Sequence, residues 1–98
     1  MSTEQAADER EKTTCSEIGR VVSAVRKLIM DDDRLANAIH FEMSVKGDIL
    51  LFGIQPHGKT RGWKQLVLEF PYASFSKTEA DEAITKMENH IKREQKDD

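Results

Sequence analysis

Between Phe41 and Ile54 the chain carries two facing apolar series around a Gly-Asp pair. Phe41, Met43 and Val45 alternate with Glu42, Ser44 and Lys46, which is the period of a strand with one dry face. Gly47-Asp48 follows, a Gly-X pair suited to a two-residue hairpin turn. With those two residues as the turn, Lys46 lies opposite Ile49, Val45 opposite Leu50, Met43 opposite Phe52 and Phe41 opposite Ile54. Directly opposed residues in an antiparallel pair point to the same face, so one apolar set meets another. A slip of one residue would destroy this match. The central expectation is therefore that Met43 and Phe52 are buried cross-strand neighbours beneath two amphipathic helices.

The second strand, Ile49 to Ile54, is apolar on both faces, as suits a central strand. A third strand is expected from Trp63 to Phe70. Leu66, Leu68 and Phe70 would join the core face, and Gln65, Val67 and Glu69 would look the other way. Between them, Gln55 to Gly62 contains Pro56, Gly58 and Gly62, which exclude a regular strand. The loop is long for a hairpin connection, and such loops are more often functional or mobile.

Helical patterns flank the strands. Thr14-Cys15-Ser16-Glu17 fits a capping box with Thr14 as N-cap. Ile18, Val21, Val22, Val25, Leu28 and Ile29 then fall on one stripe at helical spacing. Asp31-Asp32-Asp33 end this helix, and one of them is expected to cap a short turn from Arg34 to Ile39. They lack the alternate spacing and distal glutamate of a calcium loop. Ser76-Lys77-Thr78-Glu79 is a second capping box, with Phe75 and Ala80 as a hydrophobic staple. Ala80, Ala83, Ile84, Met87 and Ile91 form the buried stripe of the last helix, with Glu82–Lys86 and Glu88–Lys92 as i,i+4 pairs on its wet side. The expected fold is α+β in the order α-β-β-β-α: a three-stranded antiparallel sheet with two helices on one face. Residues 1–12 are expected to be a disordered or frayed arm, 13–95 a single domain, and 96–98 a frayed end.

Ninety-eight residues suffice for one domain with a modest core. The formal net charge of −3 makes no whole-molecule case for nucleic acid. The stretch from His40 to Lys77 is nevertheless positive, with five Lys or Arg against three acids. A single cysteine, Cys15, permits no internal disulfide and suggests a reducing compartment. The polar N-terminus is not a signal peptide, and no apolar run reaches the length of a bilayer span. A cytoplasmic location follows as the expectation.

No catalytic residue, cofactor site or metal site is expected. Phosphate-cradling glycine loops, paired cysteines and His-Glu-x-x-His helices are missing. His40 beside Glu42 reads as a strand start next to a surface glutamate, not as an acid–base pair. His90 reads as a half-exposed packing residue, and Met43 and Met87 as core. Cys15, in the first capping box, is expected to react with thiol reagents without being catalytic.

Two surfaces stand out. If the helices cover one side of the sheet, Ile49, Leu51 and Val67 remain on the other, ringed by Glu42, Ser44, Lys46, Gln65 and Glu69. An apolar spot with a polar rim suits a protein partner or a second copy. The basic loop and its flanks supply His57, Lys59, Arg61, Trp63 and Lys64. There the cations could neutralise phosphates and the tryptophan could stack on a base.

The run Phe75-Ser76-Lys77-Thr78-Glu79-Ala80, with Ala83 beyond it, resembles the start of the second helix in double-stranded RNA-binding domains, whose α-β-β-β-α order is the one expected here. The resemblance implies a phosphate contact for Lys77 alone. Asp81 and Glu82 stand where that family carries further cations, and the family's loop between its first two strands is reduced to Gly47-Asp48. A similar strand–turn–helix run occurs in the three-stranded DNA-binding domains of phage integrases. The functional expectation is a small non-enzymatic protein-binding module (a regulator, inhibitor or adaptor) acting as a homodimer or on a larger protein. It would have no membrane partner and no small-molecule substrate. The alternative is nucleic-acid binding through the basic loop 57–64 and Lys77.

Overall fold

The protein is described here by a computed structural model covering residues 3–57 and 63–96, with side chains for 13–57 and 63–95. Helix α1 spans Thr3–Met30 and a short α2 spans Asp33–Ala38. Strands β1 (Ile39–Lys46), β2 (Ile49–Pro56) and β3 (Leu66–Pro71) follow, and then helix α3 (Lys77–Lys96). The strands form one antiparallel sheet in the order β1-β2-β3, so the α+β fold in the expected order is present.

Gly47 adopts φ 60°, and no other residue type has a positive φ among the described residues. A positive φ at the first turn position alone defines a type II′ turn, whose twist matches that of the strands it joins. The resulting register is the one the alternation requires: Lys46 opposite Ile49, Met43 opposite Phe52 and Phe41 opposite Ile54. On the other side of β2, Leu50 pairs with Phe70, Phe52 with Leu68 and Ile54 with Leu66. These positions share the face that the helices cover. Leu50, Phe52 and Ile54 are fully buried there. Around Phe52 stand the rings of Phe41, Phe70 and Phe75, with centroids 6.1, 6.1 and 5.7 Å away.

The helical roof comes from α1 and α3. Ile18, Val21, Val25 and Ile29 of α1, and Ala80, Ala83, Met87 and Ile91 of α3, are buried in the same core as the sheet. Three contacts orient the pair. Thr14 Oγ1 donates to the Phe75 carbonyl at 3.4 Å, Arg20 meets Asp81 at 2.8 Å, and Gln95 Nε2 reaches Asp32 Oδ2 at 3.5 Å. The offset is nearly constant, so α1 and α3 run parallel, side by side. Arg20 also holds Glu17 at 2.8 Å and the Lys77 carbonyl at 3.4 Å. Hydrogen bonds from its guanidinium to Asp81 and Glu17 raise its pKa further.

At the start of α3, the Ser76 N–H donates to Glu79 Oε2 at 3.0 Å, and the Ser76 hydroxyl donates to the same oxygen. The hydroxyl bond is the largest cause of a Glu79 carboxyl held below its ordinary range. Glu79 also lies in the first turn, where the helix dipole favours an anion. Asp32 is the aspartate that caps α2, accepting from the Arg34 N–H at 2.9 Å. Glu82–Lys86 and Glu88–Lys92 pair at 2.9 and 2.8 Å.

Several expectations need correction. The helix α1 begins at Thr3, so Thr14 does not cap it. Thr14 is instead a buried residue bonded to Phe75, and Cys15, though exposed, lies well inside the helix rather than at its start. β3 begins at Leu66, and Trp63 to Gln65 precede it as irregular chain. His90 is buried, not half-exposed, because its Nε2 bonds the Lys64 carbonyl at 2.8 Å. The largest correction concerns Met43. It does oppose Phe52, but it is 42% exposed, and Val45 is 47% exposed. The parallel helices cover β2 and β3 and only the first half of β1, so residues 42–46 are exposed on both faces.

Candidate interaction surface

The uncovered face of the sheet carries the side chains that alternate with the core set. Register places Leu51 opposite both Ser44 and Glu69, Gly53 opposite Glu42 and Val67, and Ile49 between Lys46 and Pro71. Ile49 is 44% and Val67 50% exposed, while Leu51 is half-buried between them. Gly53 has no side chain to fill its position. A shallow depression of about 170 Å³ opens above it, lined by Glu42, Ser44, Leu51, Gln55 and Val67. A Cβ built on Gly53 would meet only the Leu66 carbonyl oxygen, at 3.7 Å, so packing does not force the gap.

The rim is polar and partly organised. Glu42 accepts from Gln55 Nε2 at 3.1 Å and meets His40 Nε2 at 2.9 Å. His57 lies against His40, with ring centroids 5.3 Å apart. These groups mark one end of the face, and Lys46 and Asp48 mark the other. The three residues expected as an apolar spot, Ile49, Leu51 and Val67, are thus brought together. Of their expected rim, Glu42, Ser44, Lys46 and Glu69 stand on the same face. Gln65 lies outside the strand.

The second expected surface is not assembled in the same way. Lys59 and Arg61 lie outside the described residues. Trp63 is buried at 8% exposure, so the expectation that it offers its ring to a base is set aside: the ring is spent on the core. Lys64 is exposed beside His90 near the end of α3, whereas Lys77 is the first residue of that helix. Thirteen helical residues separate the levels of Lys77 and His90, roughly 20 Å along the axis. His57 lies against His40, at the end of the sheet where β3 begins.

No family model matches this chain, and no curated protein or solved structure matches it either. The reading of the surface therefore rests on its own chemistry. Among the described residues no group of His, Cys, Asp and Glu is placed to hold a metal, and no helix is long and apolar enough to cross a membrane.

The backbone holds information that side-chain patterning missed. The His57 N–H donates to the Ala38 carbonyl at 2.9 Å and the Tyr72 N–H to the Asp48 carbonyl at 2.7 Å. These bonds extend the two ladders by one rung each and fix which groups they use. Even-numbered residues of β1 turn their N–H and C=O toward β2, so Phe41, Met43 and Val45 turn theirs to the open edge. Along β3 the outward positions are Val67, Glu69 and Pro71. Proline has no N–H to offer and glutamate is charged, the usual ways to blunt an edge. The outward positions of β1 carry neither device.

Proposed function

We propose that this chain is a non-enzymatic protein-binding module, a regulator, inhibitor or adaptor, which receives a partner protein on the open face of its sheet. The observation that carries this reading is the exposure of Ile49 and Val67 beside Leu51, within a ring of Glu42, Ser44, Lys46 and Glu69. An apolar centre with a polar rim is the anatomy of a protein interface. Burying the exposed halves of Ile49 and Val67 would contribute about 1 kcal/mol each. The depression over Gly53 gives a partner side chain a place to seat.

The test is the mass of the protein in solution, together with whatever polypeptide co-purifies with it at moderate salt. Leu51→Glu and Val67→Lys place a charge in the apolar centre and should abolish the complex while the circular dichroism spectrum stays that of the wild type. Wild-type mass and wild-type partner binding in both variants would end this reading. Binding of RNA or DNA with a salt slope that Arg61→Ala reduces would favour the basic loop instead.

A further inference from the structure

We infer that the free edge of β1 pairs with β1 of a second copy, antiparallel about a two-fold axis at Ser44, so that two three-stranded sheets become one of six strands. This goes beyond the open-face reading, because it uses a different surface and names its occupant.

The first ground is the asymmetry of the two edges. β3 is blunted at Glu69 and Pro71, whereas β1 turns the unblocked backbone groups of Phe41, Met43 and Val45 outward. An edge of that length with no proline, whose charges Glu42 and Lys46 stand on the open face, is a template for another strand once those charges are paired. The second ground is where the cover stops. Ile39, His40 and Phe41 are at least half-buried, and the next five residues, Glu42 to Lys46, are exposed. That stretch is centred on Ser44. Pairing it with itself joins the uncovered half of one strand to the uncovered half of the other, and leaves the two α1 helices at opposite ends of the joint.

The third ground is charge. Centred on Ser44, the pairing sets Glu42 opposite the second copy's Lys46, and Lys46 opposite its Glu42. Both pairs lie on the open face, where the small Ser44 side chains meet at the axis. Glu42 already meets His40 and Gln55, but a carboxylate has acceptor sites to spare. Among the described residues no acid lies within ion-pair distance of Lys46. On the other face, Met43 opposes the second copy's Val45, and the reverse. The exposed hydrophobic side chains on the core-side face of β1, at 42% and 47%, thereby cover one another. The backbone groups that close this joint are those of Met43 and Val45, which are the outward ones. Register, charge and apolar match thus select the same axis, and an isologous joint needs all three to agree.

Sedimentation equilibrium on the full chain tests the inference. At low salt the mass should be twice the 11.2 kDa of one chain. Met43→Pro removes an outward N–H that β2 does not use, and should give a folded monomer. Glu42→Lys and Lys46→Glu, made singly, should each weaken the dimer roughly tenfold, since each puts two like-charged pairs across the joint. Made together they should restore the wild-type constant, a result that no loss of folding can imitate. A monomeric wild type at 100 µM overturns the inference and leaves β1 open to a strand of another protein. A dimer that survives Met43→Pro but is lost in Leu51→Glu also overturns it, and assigns self-association to the open face. Loss of binding to a separate partner in Leu51→Glu, with the dimer intact, leaves the inference standing.

Discussion

Phe52 and Met43 face each other across one rung of the sheet, and shortening each to alanine should have very different consequences. Phe52 is completely buried and has three aromatic rings within 6.1 Å. A Phe→Ala change in a core costs about 3–5 kcal/mol, and three ring partners place this one at the upper end. A domain of this size has a total stability of only about 5–15 kcal/mol, so Phe52→Ala should remove between about a third of it and all of it. Met43 is 42% exposed, and Met43→Ala should cost about 1 kcal/mol or less. With a urea slope of about 1.5 kcal/mol/M, the midpoints should fall by about 3 M and by less than about 1 M respectively. Phe52→Leu provides an intermediate point if the alanine variant does not fold. Urea titrations at two protein concentrations separate folding from association. Equal losses at the two positions, or a larger loss for Met43→Ala than for Phe52→Leu, would refute the account of where the helical roof ends.

The cap of α3 should give stability a dependence on acid pH. Hydrogen bonds from Ser76 lower the Glu79 pKa, so its contribution is complete above the ordinary carboxylate range and disappears as pH falls through the lowered value. Glu79→Gln should therefore be less stable than the wild type at neutral pH, with the two melting curves converging in acid; a constant gap across the titration would contradict this. The two turn and sheet glycines should respond oppositely to alanine. Gly47→Ala, at φ 60°, should cost about 1 kcal/mol or more in a denaturant titration. Gly53→Ala, whose Cβ would make only an ordinary contact of 3.7 Å with the Leu66 carbonyl oxygen, should leave stability within about 0.5 kcal/mol while partly filling the depression on the open face.

The hairpin was fully legible because two independent signals, the Gly-Asp turn and the facing alternations, admit one register. The stripes of α1 and α3 were legible for the same reason: Val21, Val25, Ala83 and Met87 are buried as their spacing requires. What alternation cannot tell is how far a covering layer extends. Met43 and Val45 have the pattern of core residues, but they lie beyond the helices that would make them so. Thr14 shows a second limit, since a Ser/Thr-x-x-Glu run inside a helix is indistinguishable in composition from one at its start. For the interaction surface, Ile49, Leu51 and Val67 could be placed from register alone. The role of Gly53 and the unblunted edge of β1 were missed. The second had a usable signal: the turn fixes which backbone groups of β1 face outward, and Pro71 protects the other edge. Lys77 does not join Lys64 because α3 carries their levels apart, a separation that the sequence does not show.

The parallel arrangement of α1 and α3 has a consequence for how the protein is made. Thr14 finds Phe75 and Asp32 finds Gln95 across 61 and 63 residues of chain. As the polypeptide leaves the ribosome, α1 emerges first with its apolar stripe of Val21, Val25 and Ile29. The sheet that shares its core comes next, and the helix that lies alongside it comes last. A long interval of synthesis therefore passes with that stripe in water, and contacts of such separation are slow to close. The nascent chain should keep that stripe unpaired with its neighbouring helix until α3 has emerged.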